Sequence, residues 1–176
     1  MLILRGLEKP DSCVVNVDSF VPFTINIIGK HEYESKIYWR TGNFRKSLLE
    51  VAIEERTGEL REITLTSADV VSILDITLEK YEEIEKNAVT MKKEGIPIFL
   101  IDGEIKNKLC DQRSDFEVYL GYDFILVKLK KNVISNKCIE LEKMRLEVDK
   151  KNELISIMVK NLSKSERNQL KVGLNL

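Results

Sequence analysis

The sequence predicts an α+β, β-rich fold. Two repeated antiparallel β-hairpin or sheet units pack into one domain, with a middle amphipathic helix and a short C-terminal helix. Three observations predict it. Alternating apolar and polar residues recur along most of the chain, the period of a strand with one buried face. From Leu78 the apolar spacing changes to every three or four residues, the period of a helix. Two stretches, "LLEVAIEERTGELREITLTS" (48–67) and "MRLEVDKKNELISIMVKNLS" (144–163), read as the same hairpin.

The elements follow in order. "CVVNVDSFVPFTINIIGK" (13–30) is rich in Val, Ile and Phe and reads as two strands broken around Ser19–Pro22. Ile37, Tyr38 and Trp39 precede a turn signal at Thr41-Gly42-Asn43. Leu49, Val51 and Ile53 alternate with Glu50, Ala52 and Glu54. Gly58 turns the chain, and Leu60, Ile63 and Leu65 return with a one-residue slip that predicts a bulge. Residues 67–76 fit a helix or a strand. Leu78, Tyr81, Ile84, Ala88 and Met91 mark the amphipathic helix, expected to stop at Gly95 before Pro97. "IPIFLIDGE" is a short buried strand and a turn, and "DFEVYLGYDFILVKLK" holds two strand-like runs around Gly121-Tyr122-Asp123. Ile139, Leu141, Met144, Leu146 and Val148 alternate with charged residues up to the second hairpin. Ser163 and Glu166 form a capping box for a helix from about 164 to 171.

A chain of 176 residues suits one domain, 1–176. The repeat divides it into halves of about 14–74 and 115–172, joined by the 78–94 helix. "GELREITLT" aligns with "NELISIMVK", so Leu60, Ile63 and Leu65 match Leu154, Ile157 and Val159. Such a sheet cannot bury its apolar face alone. It needs the other copy or the middle helix, in one curved sheet or two.

Net charge is −1, unevenly spread. Residues 1–127 carry 16 Lys and Arg against 23 Asp and Glu; residues 128–176 carry 12 against 6. An acidic body with a basic tail can orient a charged partner. Cys13, Cys110 and Cys138 are odd in number and far apart, so they read as buried thiols in a reducing compartment. The apolar run before Arg5 is too short for a signal peptide, and no stretch matches a membrane span of about 20 apolar residues. A cytoplasmic protein with no membrane partner is expected.

Chemistry is sparse in this sequence. Its one His, His31, sits in a charged "GKHEYE" stretch and reads as a surface residue. Cys-x-x-Cys pairs and phosphate-binding Gly loops are absent. Asp115, Glu117 and Asp123 lack the spacing of a calcium loop. The chain is read as not an enzyme, with no catalytic residue, no metal and no cofactor. The lysines of "KLKKNVISNK" alternate as on an exposed strand face, so nucleic acid is not the expected partner. What remains is an acidic surface: Glu54, Glu55, Glu59 and Glu62 around the first hairpin and Glu82 on the helix, with Tyr81 or Trp39 as an aromatic anchor.

The succession of "TGELREITL", a middle helix, "GIPIF", "DFEVYLGYDFILVKL" and "NELISIMVKNLS" resembles small immunity proteins of bacterial contact-dependent or polymorphic toxin–immunity systems, over about residues 45–170. The resemblance implies a cytoplasmic, non-enzymatic protein. Its partner would be a cognate toxin domain, often a nuclease, whose active site or exosite it covers. Contact residues vary from pair to pair in such proteins, so none carries over. Reversing Glu54, Glu55 and Glu59 to Lys is then expected to weaken the complex without unfolding the protein. Two other readings stay open: a β-rich interaction or homodimerising module, and a small enzyme using Asp115, Glu117 and Tyr122. The toxin, the binding face and the stoichiometry are not legible, and a monomer is the simplest assembly.

Overall fold

The computed structural model describes residues 1–9, 12–28, 35–84 and 91–176. Strand makes up 52% and helix 10%, so the fold is α+β and β-rich. The first half contains β1 (Leu2–Glu8), β2 (Ser12–Val17), β3 (Phe23–Ile28), β4 (Lys36–Gly42), β5 (Leu48–Glu54) and β6 (Leu60–Ser67). β7 (Val71–Ile73), α1 (Leu78–Ile84) and β8 (Lys92–Glu94) lead to β9 (Ile96–Ile101). The second half runs through β10 (Leu109–Arg113), β11 (Glu117–Leu120), β12 (Ile125–Lys128), β13 (Lys137–Leu141), β14 (Met144–Val148), β15 (Leu154–Val159) and α2 (Lys164–Gly173).

The strands form a six-stranded sheet of order β10-β4-β5-β6-β3-β2, a seven-stranded sheet of order β7-β11-β12-β15-β14-β13-β8, and a two-stranded ribbon, β1-β9. Five strands match in order and register, β2 to β6 against β11 to β15. Phe23 pairs with Leu65 and Ile25 with Ile63; Ile125 pairs with Val159 and Val127 with Ile157. Ala52 pairs with Glu62 and Ile53 with Leu60, which leaves Arg61 as the bulged residue. Glu147 pairs with Ser156 and Val148 with Leu154, which leaves Ile155 in the same place. The two hairpins thus share the bulge as well as the apolar spacing. A bulge sharpens the strand twist, so both copies bend alike.

The inner faces meet in one buried cluster. Ile25, Val51, Ile63 and Leu65 come from the first sheet, Val118, Val127, Leu146 and Ile157 from the second. Leu4 and Phe99 of the ribbon and Leu170 of α2 join them. This is the arrangement of a β-sandwich. The outer face of the second sheet has a small core of its own. Phe124, Leu126 and Met158 lie there under Leu74, Leu78 and Tyr81. At the matched places on the first sheet stand Thr24 for Leu126 and Thr64 for Met158, both partly exposed. One sheet therefore has an apolar outer face covered by α1, and the other keeps a polar one.

The helix was expected to continue to Gly95, but Lys92–Glu94 is strand β8, parallel to β13. Its three residues are exposed, and backbone pairing holds them: the Cys138 N–H donates to the Met91 carbonyl at 2.8 Å. α1 ends at Ile84 within the described residues, and Ala88 lies outside them. The ambiguous 67–76 segment contains β7, parallel to β11. Among the described residues no helix is long and apolar enough to cross a membrane.

Candidate interaction surface

Most of the acids expected to face a partner are engaged within the fold. Glu54 is 1% exposed, and its carboxylate accepts the backbone N–H groups of Arg56 and Thr57 inside the β5–β6 turn. Glu59 pairs with Arg61 at 2.7 Å, Glu62 with Lys36 at 3.2 Å and Glu55 with Lys108 at 3.4 Å. Glu82 on α1 pairs with Arg145, a buried cation that also holds Glu140. Trp39 is 4% exposed and donates its indole N–H to Gln112, so it is a core residue and not an anchor. Tyr81 packs on Phe124 with ring centroids 5.2 Å apart, in the small core under α1. The acidic hairpin is thus largely a self-neutralised part of the scaffold, because burial forces its charges to find partners at home.

The basic stretch after Val127 behaves likewise. Lys130 pairs with Glu153, and Lys131 with Glu117 at 2.7 Å. Glu117 also accepts from Tyr119, whereas Tyr122 lies past the other end of β11, with its ring under Arg167. Asp115, Glu117 and Tyr122 do not converge. Burial pushes the Cys138 thiol up to about 12. Burial and then the Glu142 carboxylate push Cys13 up to about 11. Both thiols therefore stay protonated and unreactive at neutral pH. Among the described residues no group of His, Cys, Asp and Glu is placed to hold a metal ion. His31 lies outside the described residues.

A different surface stands out, at the end of the sandwich where α2 runs. The Ser163–Glu166 capping box starts this helix as the sequence predicts. Leu162 donates its N–H to the Asp123 carbonyl at 2.8 Å, and Arg167 donates Nε–H to the Gly121 carbonyl at 2.8 Å. These bonds fasten the start of α2 to the β11–β12 turn. Its far end meets the matched β2–β3 turn: a Cβ on Gly173 would lie 3.1 Å from the Asp18 carbonyl oxygen. α2 thus spans the two equivalent turns.

Beside that contact Phe20 is 87% exposed and Val172 is 64% exposed, with Leu176 nearby in chain and half exposed. Phe20 is held out. Its backbone N–H donates to the Asp18 carboxylate at 2.6 Å, and α2 supports the turn from behind. An aromatic ring displayed on a fixed backbone is costly to leave in water and typical of a binding anchor. Lys164 and Lys171 give the helix a basic rim. The sequence places Phe20 within a strand break and does not mark it as an anchor. Its signal was an aromatic between two turn-forming residues, Ser19 and Pro22, where no core is within reach.

No protein-family model matches the chain, and no curated protein sequence matches it.

Proposed function

We propose that the chain is a small immunity protein that binds and neutralises a cognate bacterial toxin domain, inside the cell that makes both. It acts by occupying the toxin and not by turnover. The observation that supports this most is the solvent-facing Phe20, on a turn whose Asp18 and Ser19 backbone packs against Gly173 of α2, the neighbour in chain of the exposed Val172. A few buried apolar anchors within a polar rim carry most of the energy of a protein–protein contact. Nucleic acid is a poorer occupant, because Phe20 belongs to the acidic part of the chain, residues 1–127, which carries 16 Lys and Arg against 23 Asp and Glu.

The test is capture of the toxin domain encoded beside the gene. Wild-type protein is expected to form a one-to-one complex and abolish toxicity. Phe20→Ser is expected to weaken capture by at least roughly thirtyfold, the loss of one hot spot, at unchanged thermal stability. Failure of the wild type to bind overturns the function, and equal binding by Phe20→Ser overturns the surface.

A second reading rests on β2. Among the described residues β2, "SCVVNV", is the last strand of its sheet; it carries no charged side chain of its own, Val14 on it is 39% exposed, and the Glu142 carboxylate accepts its Cys13 N–H. Uncharged edges are templates for pairing with another strand. A self-associating module would then show concentration-dependent sedimentation and no toxin capture.

A further inference from the structure

A trough of about 320 Å³ lies between the β5–β6 turn and the β1–β9 ribbon. This is at the lower end of the roughly 300–1,000 Å³ that small-ligand sites occupy. Its walls are aliphatic. Ile37 and Ile53 face each other across β4 and β5, Ile98, Leu100 and Ile105 add to the apolar lining, and Thr57 and Gly58 of the turn close one side. Leu100 and Ile105 are nearly half exposed in the present structure.

Two arginines line the same trough. Arg5 is the bulged residue of β1: Leu4 pairs with Phe99 and Gly6 with Ile98, and Arg5 is left over. Bulges of this kind re-aim a side chain. Arg56 comes from the opposite side, on the turn whose Gly58 carbonyl accepts the Phe99 N–H at 2.8 Å. Both cations therefore flank Ile98–Phe99 of β9, one from each side. Glu55, the acid in the lining, is drawn to Lys108 at 3.4 Å. A trough with aliphatic walls and two cations stands within the acidic part of the chain, residues 1–127.

We propose that this trough binds an aliphatic carboxylate, with the alkyl chain along Ile98, Leu100 and Ile105 and the carboxylate between Arg5 and Arg56. The guanidinium fork suits a carboxylate, and the chain removes exposed apolar surface from water. The site is independent of the surface around α2 and of any toxin.

Decanoate is the probe, followed by titration of the Ile and Leu methyl signals of the full chain. Saturable shifts at Ile98, Leu100 and Ile105 are expected. Arg5→Gln and Arg56→Gln are each expected to weaken binding roughly tenfold, the cost of a charge-assisted bond, while Lys93→Gln changes nothing. Decanol should bind more weakly than decanoate, and acetate should not saturate. Absence of saturable decanoate binding, indifference to both arginines, or equal binding of decanol overturns the proposal. A short peptide ending in Leu with a free carboxylate offers the same chemistry from another source. Tighter binding of that peptide than of decanoate overturns the acyl-chain assignment.

Discussion

Leu4 and Phe99 face each other in the β1–β9 ribbon, and each donates its backbone N–H to one hairpin turn. Leu4 donates to the Asn152 carbonyl and Phe99 to the Gly58 carbonyl, both at 2.8 Å. Gly58 and Asn152 hold the same place in the two hairpins, with φ of 77° and 62°. The ribbon thus joins the two halves by one contact made twice, about an approximate two-fold through the Leu4–Phe99 pair. The paired hairpins read from the sequence serve this junction: their turns are where each half grips the ribbon.

The two turns differ in what they tolerate. A Cβ on Gly58 would lie 2.3 Å from the Phe99 carbonyl oxygen, a backbone atom with little room to yield. Asn accepts a left-handed φ, and Gly accepts it at no steric cost. Gly58→Ala is expected to destabilise by about 3 kcal/mol, strain and clash together. Asn152→Gly keeps the left-handed φ but removes the hydrogen bond that Asn152 Oδ1 accepts from Lys137 Nζ at 2.7 Å, and is expected to cost about 1 kcal/mol. Urea unfolding of both variants checks this, and equal stabilities would mean that the Gly58 contact is not structural.

Glu54 and Asp149 are also equivalent, each a carboxylate folded over its own turn. Asp149 accepts the N–H groups of Lys151 at 2.8 Å and Glu153 at 3.0 Å, as Glu54 accepts those of Arg56 and Thr57. Glu54→Lys therefore replaces a buried acceptor with a buried cation, and the Glu54, Glu55 and Glu59 triple reversal is expected to unfold the protein instead of sparing it. Glu54→Ala alone is expected to cost about 2 kcal/mol, while Glu55→Ala costs less than about 0.5 kcal/mol. Circular dichroism melts of the two single variants separate a structural acid from a surface one.

Strand periodicity and the bulge were legible because they are local: the slip between Leu60 and Ile63 is visible in the spacing itself. The capping box at Ser163 was legible for the same reason. The failures were tertiary. Glu54 and Trp39 look like surface residues only while their neighbours are unknown. Nothing in the composition of "KKE" opposes a helix, and a backbone ladder with β13 decides it. β1 and β10 were missed. β1 contains Gly6 and a bulge, and β10 pairs in parallel with the distant β4, so neither advertises itself locally. The β13–β14 turn was hidden because Glu142, and not Gly or Asn, takes the left-handed position at φ 49°.

Arg145 joins the second sheet to α1 through two carboxylates. It is 6% exposed and holds Glu140 at 2.7 Å and Glu82 of α1, while Lys160 holds Glu140 at 3.1 Å. Burial works to raise the Glu140 carboxyl, but Lys160 and Arg145 outweigh it and hold it below the usual carboxylate range. A lowered folded value means that the stability is present above the unfolded value of about 4.3 and is lost as pH falls through the folded one. Glu140→Gln is expected to lower stability by about 2 kcal/mol at pH 7, and the gap to wild type should shrink below about pH 4. Thermal melts between these pH values check it, with amide exchange in residues 78–84 reporting on the helix. A gap that is constant with pH would exclude Glu140 as the titrating group.

Glu142 also guards an edge. From its turn on the second sheet it reaches the first, where its carboxylate accepts the Cys13 N–H at 3.1 Å. Cys13 lies on β2, so this N–H points away from β3 and toward the side that no other described strand pairs. A charged side chain seated on an exposed edge is a device against pairing with a second chain. Glu142→Gly keeps the left-handed turn, which Gly adopts freely, and removes the guard. Stability is expected to change by less than about 1 kcal/mol, while sedimentation shows a concentration-dependent dimer absent from the wild type. Adding Val14→Lys in the same strand places a new charge at the edge and is expected to restore the monomer. A monomeric Glu142→Gly variant would show that β2 is kept apart by its neighbours α2 and β3, and that the carboxylate serves only the Cys13 N–H.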